Sequence, residues 1–530
     1  MKTIIITFYA IISCVLVRAQ DFDIAFYPGM KNIDPSLVKY RGAFYSYEID
    51  MQGISGFSAN LKRSMHNITL KRYDATLTEK KSTKIKSQEK EFGPLPPALK
   101  VVNDKLYLLY YKMNDKSNVI LYVAAVDTST LELSPATELL IIDEDKKYLE
   151  FYMRSVSFDN PNLYVYSSNF ASSPTQLSKT FFFESSPDGN SYLVTWTSSW
   201  NNKFFFSVFN KDMKRIRTGK EILPNEYSLT FANACVDNNS NAYFSYSYSK
   251  KGKPFSEILI NKKGGASEIK SITIPDADPY GAYIAVDKQN AKLLICGAYK
   301  NGADYLAGVY ILSLNTDNLG MSNVSKTPFP QALVEILDEE GWGNKRKLGL
   351  SDGLVLEANI LDNGVVNLTG EFRRSVDRRP YDLSEKAKAS FVIAGSILNA
   401  RFNGTAAIFS RIPKVRVSAG STFGDSYRVF GYKNSLIIFY NDHLSNLKLD
   451  ISKPPVRSDN YKNSVMAAAI IDSNGLVKRE MVIDKSDEDY LASVESMQEM
   501  IQGNYFLAMR RIKGLGGVTS DMKWASLTVK

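Results

Sequence analysis

Residues 180–212, TFFFESSPDGNSYLVTWTSSWNNKFFFSVFNKD, constrain the fold more than any other stretch of this chain. Three apolar runs, at 181–183, 192–196 and 204–209, are separated by Pro, Asp, Gly and Asn. Runs of about six residues between such turn formers are typical of antiparallel strands joined by tight turns. The stretch therefore predicts a three-stranded antiparallel meander.

The same order of strands recurs along the chain. Residues 42–87 and 105–143 each contain a strand, a second strand that ends near Asp or Asn, and a more polar third strand. The second strands end at Asp74 and Asp127. That spacing is near the period of known propeller repeats. Further hairpins can be paired by eye, at 192–196 with 204–210, 242–248 with 258–261, 292–299 with 308–314, 365–372 with 406–412, 435–440 with 465–472, and 505–510 with 524–529.

These repeats predict an all-β fold, a single β-propeller of seven or eight four-stranded blades. The last hairpin ends at Lys530 without an outer strand, and an isolated strand at 22–27 could supply one and close the ring. Such closure removes the exposed edges of an open sheet. The alternative is a pair of stacked β-domains.

Three stretches depart from the repeat and predict short helical insertions. Apolar residues have roughly helical spacing at 331–340 and at 493–501, and 382–388 begins with a possible cap at Ser384. We expect a propeller domain over 20–530, with insertions near 328–350 and 373–404. Loops on a rigid scaffold are where function tends to lie.

The turn Ser186-Pro187-Asp188-Gly189 resembles the SPDG turn of the TolB-like bacterial propellers. It occurs intact once, so the resemblance covers one turn and a style of repeat. It implies a propeller fold and an exported bacterial protein, with no functional residue carried over.

The N-terminus has the layout of a secretory signal peptide. Lys2 precedes an apolar run over 4–17, and Val17-Arg18-Ala19 ends it, so residues 1–19 are expected to be removed. A lipoprotein site at Cys14 is the rival interpretation, but the apolar run continues past that cysteine. We expect an exported protein, periplasmic or associated with the outer membrane or extracellular, without a further membrane-spanning segment.

Charge and cysteine content set limits on partners and cofactors. Removal of residues 1–19 lowers the formal net charge from +9 by two units, and the remaining charge is dispersed along the chain. An acidic glycan is a conceivable partner, whereas nucleic acid is not expected. Cys235 and Cys296 lie in apolar runs and are expected to be buried free thiols, although a single bridge between them stays open.

Candidate chemistry concentrates in the departures from the repeat. With only His66 and His443 in the chain, neither a zinc site nor a histidine-based triad is expected, and we expect no cofactor or metal. A carboxylate pair could serve glycoside hydrolysis, with Glu357 and Glu371 as the first choice. The wider set of acids in this region is Glu335, Asp338, Glu339, Glu340, Glu357 and Glu371.

Arginines gather in the same region and could bind an anion through their planar forks. The candidate ligand-binding residues are Arg373, Arg374, Arg378, Arg379 and Trp342, and Arg401, Arg411 and Arg416 follow. The alternative is a solvated cluster of loop arginines. A sialidase is not expected, because the Asp-Gly turns lack the residue that should separate Asp from Gly.

Two functional hypotheses remain. The first is an interaction or ligand-binding scaffold of the bacterial cell envelope with a protein partner, because the sequence has no catalytic signature. The second is a glycan-active enzyme, a hydrolase or lyase, that uses the propeller face. Fold alone does not decide between them.

Overall fold

The computed structural model consists of eight sheets built one after another along the chain, antiparallel except where Val415–Ala419 pairs in parallel with Arg457–Ser458 in the sixth. It describes residues 21–31, 37–50, 67–86, 98–113, 118–143, 181–198, 202–223, 229–287, 292–302, 305–351, 353–361, 363–378, 389–419, 427–458, 463–484, 490–501, 503–513 and 517–530.

Each of the first four blades is one four-stranded meander. Their strands are Val38–Tyr40, Ala43–Asp50, Asn67–Tyr73 and Glu79–Lys86 in blade 1; Ala98–Val102, Lys105–Met113, Val119–Ala125 and Thr137–Ile142 in blade 2; Phe181–Ser185, Ser191–Ser198, Lys203–Asn210 and Arg215–Ile222 in blade 3; and Thr230–Val236, Ala242–Lys250, Lys253–Asn261 and Ser267–Ser271 in blade 4.

Blades 5 to 8 carry additions to the same meander. Their strands are Asp278–Asp287, Lys292–Lys300, Leu306–Asn315 and Ser325–Pro328, with Gly343–Asn344 and Gly349–Leu350 added, in blade 5; Leu354–Ile360, Val366–Arg378, Ala389–Asn403 and Ala406–Ile412, with Val415–Ala419 and Arg457–Ser458 added, in blade 6; Tyr427–Tyr432, Ser435–His443, Ser464–Ile471 and Val477–Ile483 in blade 7; and Tyr490–Ala492, Gln498–Ile501, Asn504–Lys513, Gly517–Val529 and Phe22–Lys31 in blade 8.

The sheets form a closed ring, an eight-bladed β-propeller. The first strands of successive blades contact one another around the centre, for example in blades 3 to 7. Apolar clusters fill the spaces between neighbouring blades, and one of them packs Phe44 and Tyr73 of blade 1 on Phe506 and Trp524 of blade 8. A contact between the first and last blades would not arise in two separate stacked domains.

The N-terminal strand closes the ring, as the sequence predicts. Phe22–Lys31 pairs antiparallel with Gly517–Val529, in a register that sets Phe22 opposite Val529, and the Lys530 N–H donates to the Asp21 carbonyl at 2.9 Å. Phe22 is buried against Phe439 of blade 7. The strand therefore supplies both the outer strand of blade 8 and part of its packing.

The connections between strands lie on two opposite faces of the ring. Because neighbouring strands run in opposite directions, the first-to-second and third-to-fourth turns lie on one face, which we name the turn face. The second-to-third loops and the connections between blades lie on the other, which we name the loop face. Helix Gln331–Glu339 and the segment 444–458 of blade 7 are both on the loop face.

Short turns with a repeated hydrogen-bond pattern cover the turn face. In five third-to-fourth turns the first side chain accepts from the backbone N–H two residues later, and a residue with positive φ follows. The first residues are Asp74, Asp127, Asn210, Asn315 and Asp472, and the positive-φ residues are Leu77, Leu131, Met213, Leu319 and Gly475.

The predicted secondary structure needs two corrections. The strand at 365–372 pairs with Ala389–Asn403, and the predicted partner, 406–412, is the outer strand of the blade. The predicted helix at 493–501 is a single 3-10 turn, Val494–Ser496, because the chain then pairs as strand Gln498–Ile501 with its neighbour. The helix predicted at 331–340 is confirmed as Gln331–Glu339, and the one at 382–388 lies outside the described residues.

The described part of the chain contains no helix long and apolar enough to span a membrane. Cys235 in blade 4 and Cys296 in blade 5 are both free thiols. Burial raises the pKa of both thiols, that of Cys296 to about 12, so both remain protonated at neutral pH.

Candidate functional site

Blade 6 rises above the loop face. Its second strand, Val366–Arg378, pairs with the first strand only as far as Phe372, and a β-bulge between Glu371 and Arg373 marks the change. Beyond the bulge, residues 373–378 pair with 389–394, which in turn pair with Val415–Ala419. Bulges redirect side chains and are common beside functional sites. The predicted arginines therefore start where the blade leaves the ring.

Arg411, near the end of the outer strand of blade 6, joins two of the additions on the loop face. Its side chain forms an ion pair with Glu340, which follows the helix of blade 5, and donates to the carbonyls of Ile451 and Lys453 in the segment of blade 7. Ser396 also donates to Glu340, at 2.7 Å. Burial, aided by the positive charge of Arg479, lowers the pKa of Arg411 to about 10, so it remains a cation at neutral pH. Segments from blades 5, 6 and 7 thus form one connected surface.

The side of blade 6 that faces blade 7 is polar and charged in its interior. Glu371 is fully buried and pairs with Arg373, whose Nε lies 2.6 Å from its Oε2, and with Lys414 through its other oxygen. Thr369, two residues earlier on the same side, donates to Asn399 at 2.8 Å, and its carbonyl accepts from Tyr427 of blade 7. Both oxygens of the predicted catalytic acid are therefore engaged inside the protein.

Asp442 of blade 7 is the buried acid opposite this charged group. It accepts from Asn446 at 2.8 Å, and Asn446 in turn bonds both backbone groups of Val456. Burial raises the pKa of Asp442 to about 7, although these hydrogen bonds and the charges of Lys414 and Arg479 act in the opposite direction. Within the described residues, its second oxygen and the Tyr440 hydroxyl have no hydrogen-bond partner.

The side of blade 6 that faces blade 5 carries a stack of three groups. Trp342 is buried, and its indole stacks on Phe372 at 5.5 Å between ring centroids. The Arg374 guanidinium lies 4.8 Å from the centroid of the same indole. Gly395 makes room for the ring, since a Cβ there would come within 2.4 Å of the indole nitrogen. Arg374 itself is exposed.

The structure thus divides the predicted residues between two sides of one strand. Arg373 faces the buried charges, whereas Arg374 and Trp342 lie together on the other side. Glu357 is opposite Thr369 on the first strand, so it shares a side of the sheet with Glu371 and is partly exposed. The side chain of Arg378 and the whole of Arg379 lie outside the described residues.

The remaining candidate residues lie either on the helix of blade 5 or buried within blade 6. Glu335, Asp338 and Glu339 lie on the helix of blade 5, where Glu335 accepts from Gln331 at 2.8 Å. Arg401 is buried and donates to the Asn434 carbonyl of blade 7 at 3.1 Å. Arg416 is buried in the raised part of blade 6. None of these is brought next to Arg374 by a described contact.

Lys414 and Asp442 are the residues that sequence reasoning missed. Each interrupts or ends an apolar run, at Ile412-Pro413-Lys414 and at Phe439-Tyr440-Asn441-Asp442. A charged residue at the end of a strand is usually solvated. Only the packing of blade 6 on blade 7 shows that both are buried.

A shallow groove between the outer strands of blades 2 and 3 is distant in the fold from these residues. Ile141, Phe205 and Gly219 form part of its lining, and its volume is about 260 Å³. Its charges are already paired, with Lys220 lying 2.7 Å from Asp143 and Arg215 lying 3.2 Å from Glu138. Within the described residues there is no cluster of His, Cys, Asp and Glu suited to a metal ion.

Strand topology assigns the protein to the eight-bladed β-propellers. Neither a family model nor a curated protein matches the sequence. Among solved structures, it is similar to polysaccharide lyase Uly1 at 9% identity, covering 95% of this chain and 92% of that one, with a TM-score of 0.35.

Two further structures have comparable similarity. The β-propeller domain of the Trilobed protease from Pyrococcus furiosus matches at 10% identity, over 88% of this chain and 98% of that one, with a TM-score of 0.33. An oligogalacturonate lyase in complex with manganese matches at 7% identity, over 83% and 98%, with a TM-score of 0.32. Similarities this low carry no argument about function, so function is argued from the site.

Proposed function

We propose that this protein is a binding scaffold whose working surface is the loop face over blades 5 to 7. The observation that carries the proposal is the position of Arg411, which holds three separate segments together through Glu340, Ile451 and Lys453. A surface fixed before binding loses little conformational freedom when a partner arrives. The blade-7 segment also exposes the apolar side chains of Leu444 and Ile451.

The buried acids favour binding over catalysis. Glu371 and Glu340 use their carboxylates for ion pairs with Arg373, Lys414 and Arg411, and a general acid or nucleophile must reach its substrate. A glycan-active enzyme is the second candidate, and partly exposed Glu357 on the first strand of blade 6 is the observation in its favour.

The proposed setting is the bacterial cell envelope. The signal-peptide pattern over residues 1–19 and the resemblance of the Ser186–Gly189 turn to the TolB-like propellers support export. A partner in that compartment, most simply another envelope protein, would meet the loop face.

Cross-linking in the envelope tests the proposed surface. The tagged full chain would be cross-linked in its native envelope, and the captured partner identified by mass spectrometry. We expect Leu444→Ser with Ile451→Ser to reduce capture of that partner at least tenfold, because both side chains are exposed on the loop face.

Leu476→Ser is the matched control. Leu476 is the more exposed leucine, at 69%, but it lies in a third-to-fourth turn on the turn face. Equal capture of the partner by the wild type, the double variant and Leu476→Ser would show that the loop face over blade 7 is not the binding surface. Reduced capture by Leu476→Ser alone would show the same.

A further inference from the structure

Arg374 differs from the other described arginines of blade 6. Arg373 pairs with Glu371, Arg401 donates to the Asn434 carbonyl, and Arg411 pairs with Glu340. Among the described residues, Arg374 has neither a carboxylate within ion-pair distance nor a hydrogen-bond partner. It is an exposed cation fixed on a buried ring.

The base beneath this cation is rigid. Trp342 is 2% exposed, and its indole contacts both the Phe372 ring and the Arg374 guanidinium. Its backbone is held as well, since its N–H donates to Leu337 at 2.8 Å and its carbonyl accepts from Ser351 at 2.7 Å. A guanidinium stacked on an aromatic ring keeps its N–H groups at its edge, where they can form a bidentate contact with an oxyanion.

Further cations occupy the hairpin that follows Trp342. Lys345 and Arg346 are both exposed in the turn that joins Gly343–Asn344 to Gly349–Leu350. Lys345 has one acid within range, Asp338 at the limit of 4.0 Å, and Arg346 has no described ion pair. The chain places these side chains three and four residues after the indole that supports Arg374, so two exposed cations follow the fixed one closely in sequence.

We propose that Arg374, on its Trp342 base, binds the carboxylate of an acidic polysaccharide, with Lys345 and Arg346 as flanking cations. This inference rests on the proposed function, because Arg374 lies on the same loop face, and it adds a polysaccharide ligand to the protein partner. The indole and Phe372 are covered, so the guanidinium offers charge and hydrogen bonds with no open aromatic face beside it. The hairpin exposes one apolar side chain, that of Leu348 at 54%, beside two cations. Charge therefore outweighs apolar contact at this point, which suits a polyuronate better than a protein interface built on apolar anchors.

Binding of polygalacturonate tests the site. Titration calorimetry would compare the full-length wild type with Arg374→Gln and with Lys263→Gln, a matched loss of one exposed charge on the turn face. We expect Arg374→Gln to weaken binding about tenfold, and Lys263→Gln to weaken it less than twofold, with dextran as the neutral polymer that does not bind.

Additional polymers separate the possible ligands. Stronger, Arg374-dependent binding of dextran sulfate would replace the carboxylate with a sulfate and overturn that part of the proposal. Stronger, Arg374-dependent binding of poly-L-glutamate would favour an acidic protein and overturn the polysaccharide. Equal losses in Arg374→Gln and Lys263→Gln, or no binding of polygalacturonate by the wild type, would overturn the site itself.

One further variant and a comparison with the capture experiment keep the result interpretable. Arg374→Lys retains the charge without the planar fork and should bind with intermediate affinity; it also serves if Arg374→Gln does not fold. If polygalacturonate fails to bind while envelope capture still depends on Leu444 and Ile451, the polysaccharide site is wrong and the scaffold stands. If both measurements fail, both proposals are wrong.

Discussion

Individual buried charged residues affect the stability of the junction between blades 6 and 7. Glu371 lies between Arg373 and Lys414, and removing one partner of such a group typically costs about 3–5 kcal/mol because the remaining charge stays buried. Asp442 is different, since its second oxygen has no described partner. At this residue burial prevails over the nearby positive charges, and its pKa is raised to about 7.

Asp442 should make stability depend on pH. The folded protein keeps a proton on this carboxyl up to about pH 7, whereas the unfolded chain releases it near pH 4. Between these values the folded state binds more protons than the unfolded state, so the free energy of unfolding should fall as pH rises, by up to about 1.4 kcal/mol per unit. Urea unfolding between pH 4.5 and pH 8 would measure the slope.

Two substitutions check the origin of that slope. Asp442→Asn should remove it, while Asp450→Asn should leave it nearly unchanged, because hydrogen bonds led by the Ser452 N–H lower the pKa of Asp450. A slope that survives in Asp442→Asn would assign the titration to another group.

At the scale of elements, regular features could be predicted from the sequence and irregular ones could not. Alternating apolar residues and Asp or Asn turns identified seven of the eight central strand pairs correctly. The error in blade 6 arose because Ala389–Asn403 buries Ser396, Asn399 and Arg401, so its alternation is hidden by polar residues that pair only in the folded protein. Sequence likewise placed Arg374 beside other arginines, but that these residues continue a strand, in which Arg373 and Arg374 point to opposite sides, depends on their pairing with 393–394.

The repeated turn is an element whose energetics can be measured. Leu131 has a strained backbone, with φ of 63°, and its side chain is fully buried between blades 1 and 2. Burial of this side chain therefore offsets the backbone strain of the turn. Replacing Leu131 with Gly relieves roughly 1 kcal/mol of strain but removes a buried leucine, for a net loss of roughly 2–4 kcal/mol. Equilibrium unfolding in urea would measure this loss.

Asn103→Gly is the matched control for Leu131→Gly. Asn103 also has positive φ, 46°, but it is exposed in a tight turn of blade 2. Its replacement should change stability by less than about 0.5 kcal/mol. If both variants were equally stable, the buried side chain would not be what maintains the repeated turn.

For the whole molecule, the closed ring determines where function can be added. Every blade packs on two neighbours, so a loop can change without opening a core, and additions from blades 5, 6 and 7 meet on the loop face. The ring itself depends on two distant segments, since blade 8 combines the end of the chain with Phe22–Lys31. Closure is therefore the feature on which a stable loop face relies.

Two phenylalanines on the closing strand allow this dependence to be measured. Phe22 is 3% exposed and packs edge-on against Phe439 at 5.5 Å, whereas Phe26 is 57% exposed on the same strand. Phe22→Ala should cost about 3–5 kcal/mol and loosen the strand, while Phe26→Ala should change stability by less than about 0.5 kcal/mol. Hydrogen exchange would show the loosening as faster exchange at 524–529, where the partner strand would lose its outer neighbour. If exchange at 524–529 were unchanged in Phe22→Ala, the N-terminal strand would still be paired there, and the buried Phe22 side chain would not be what holds it in the ring.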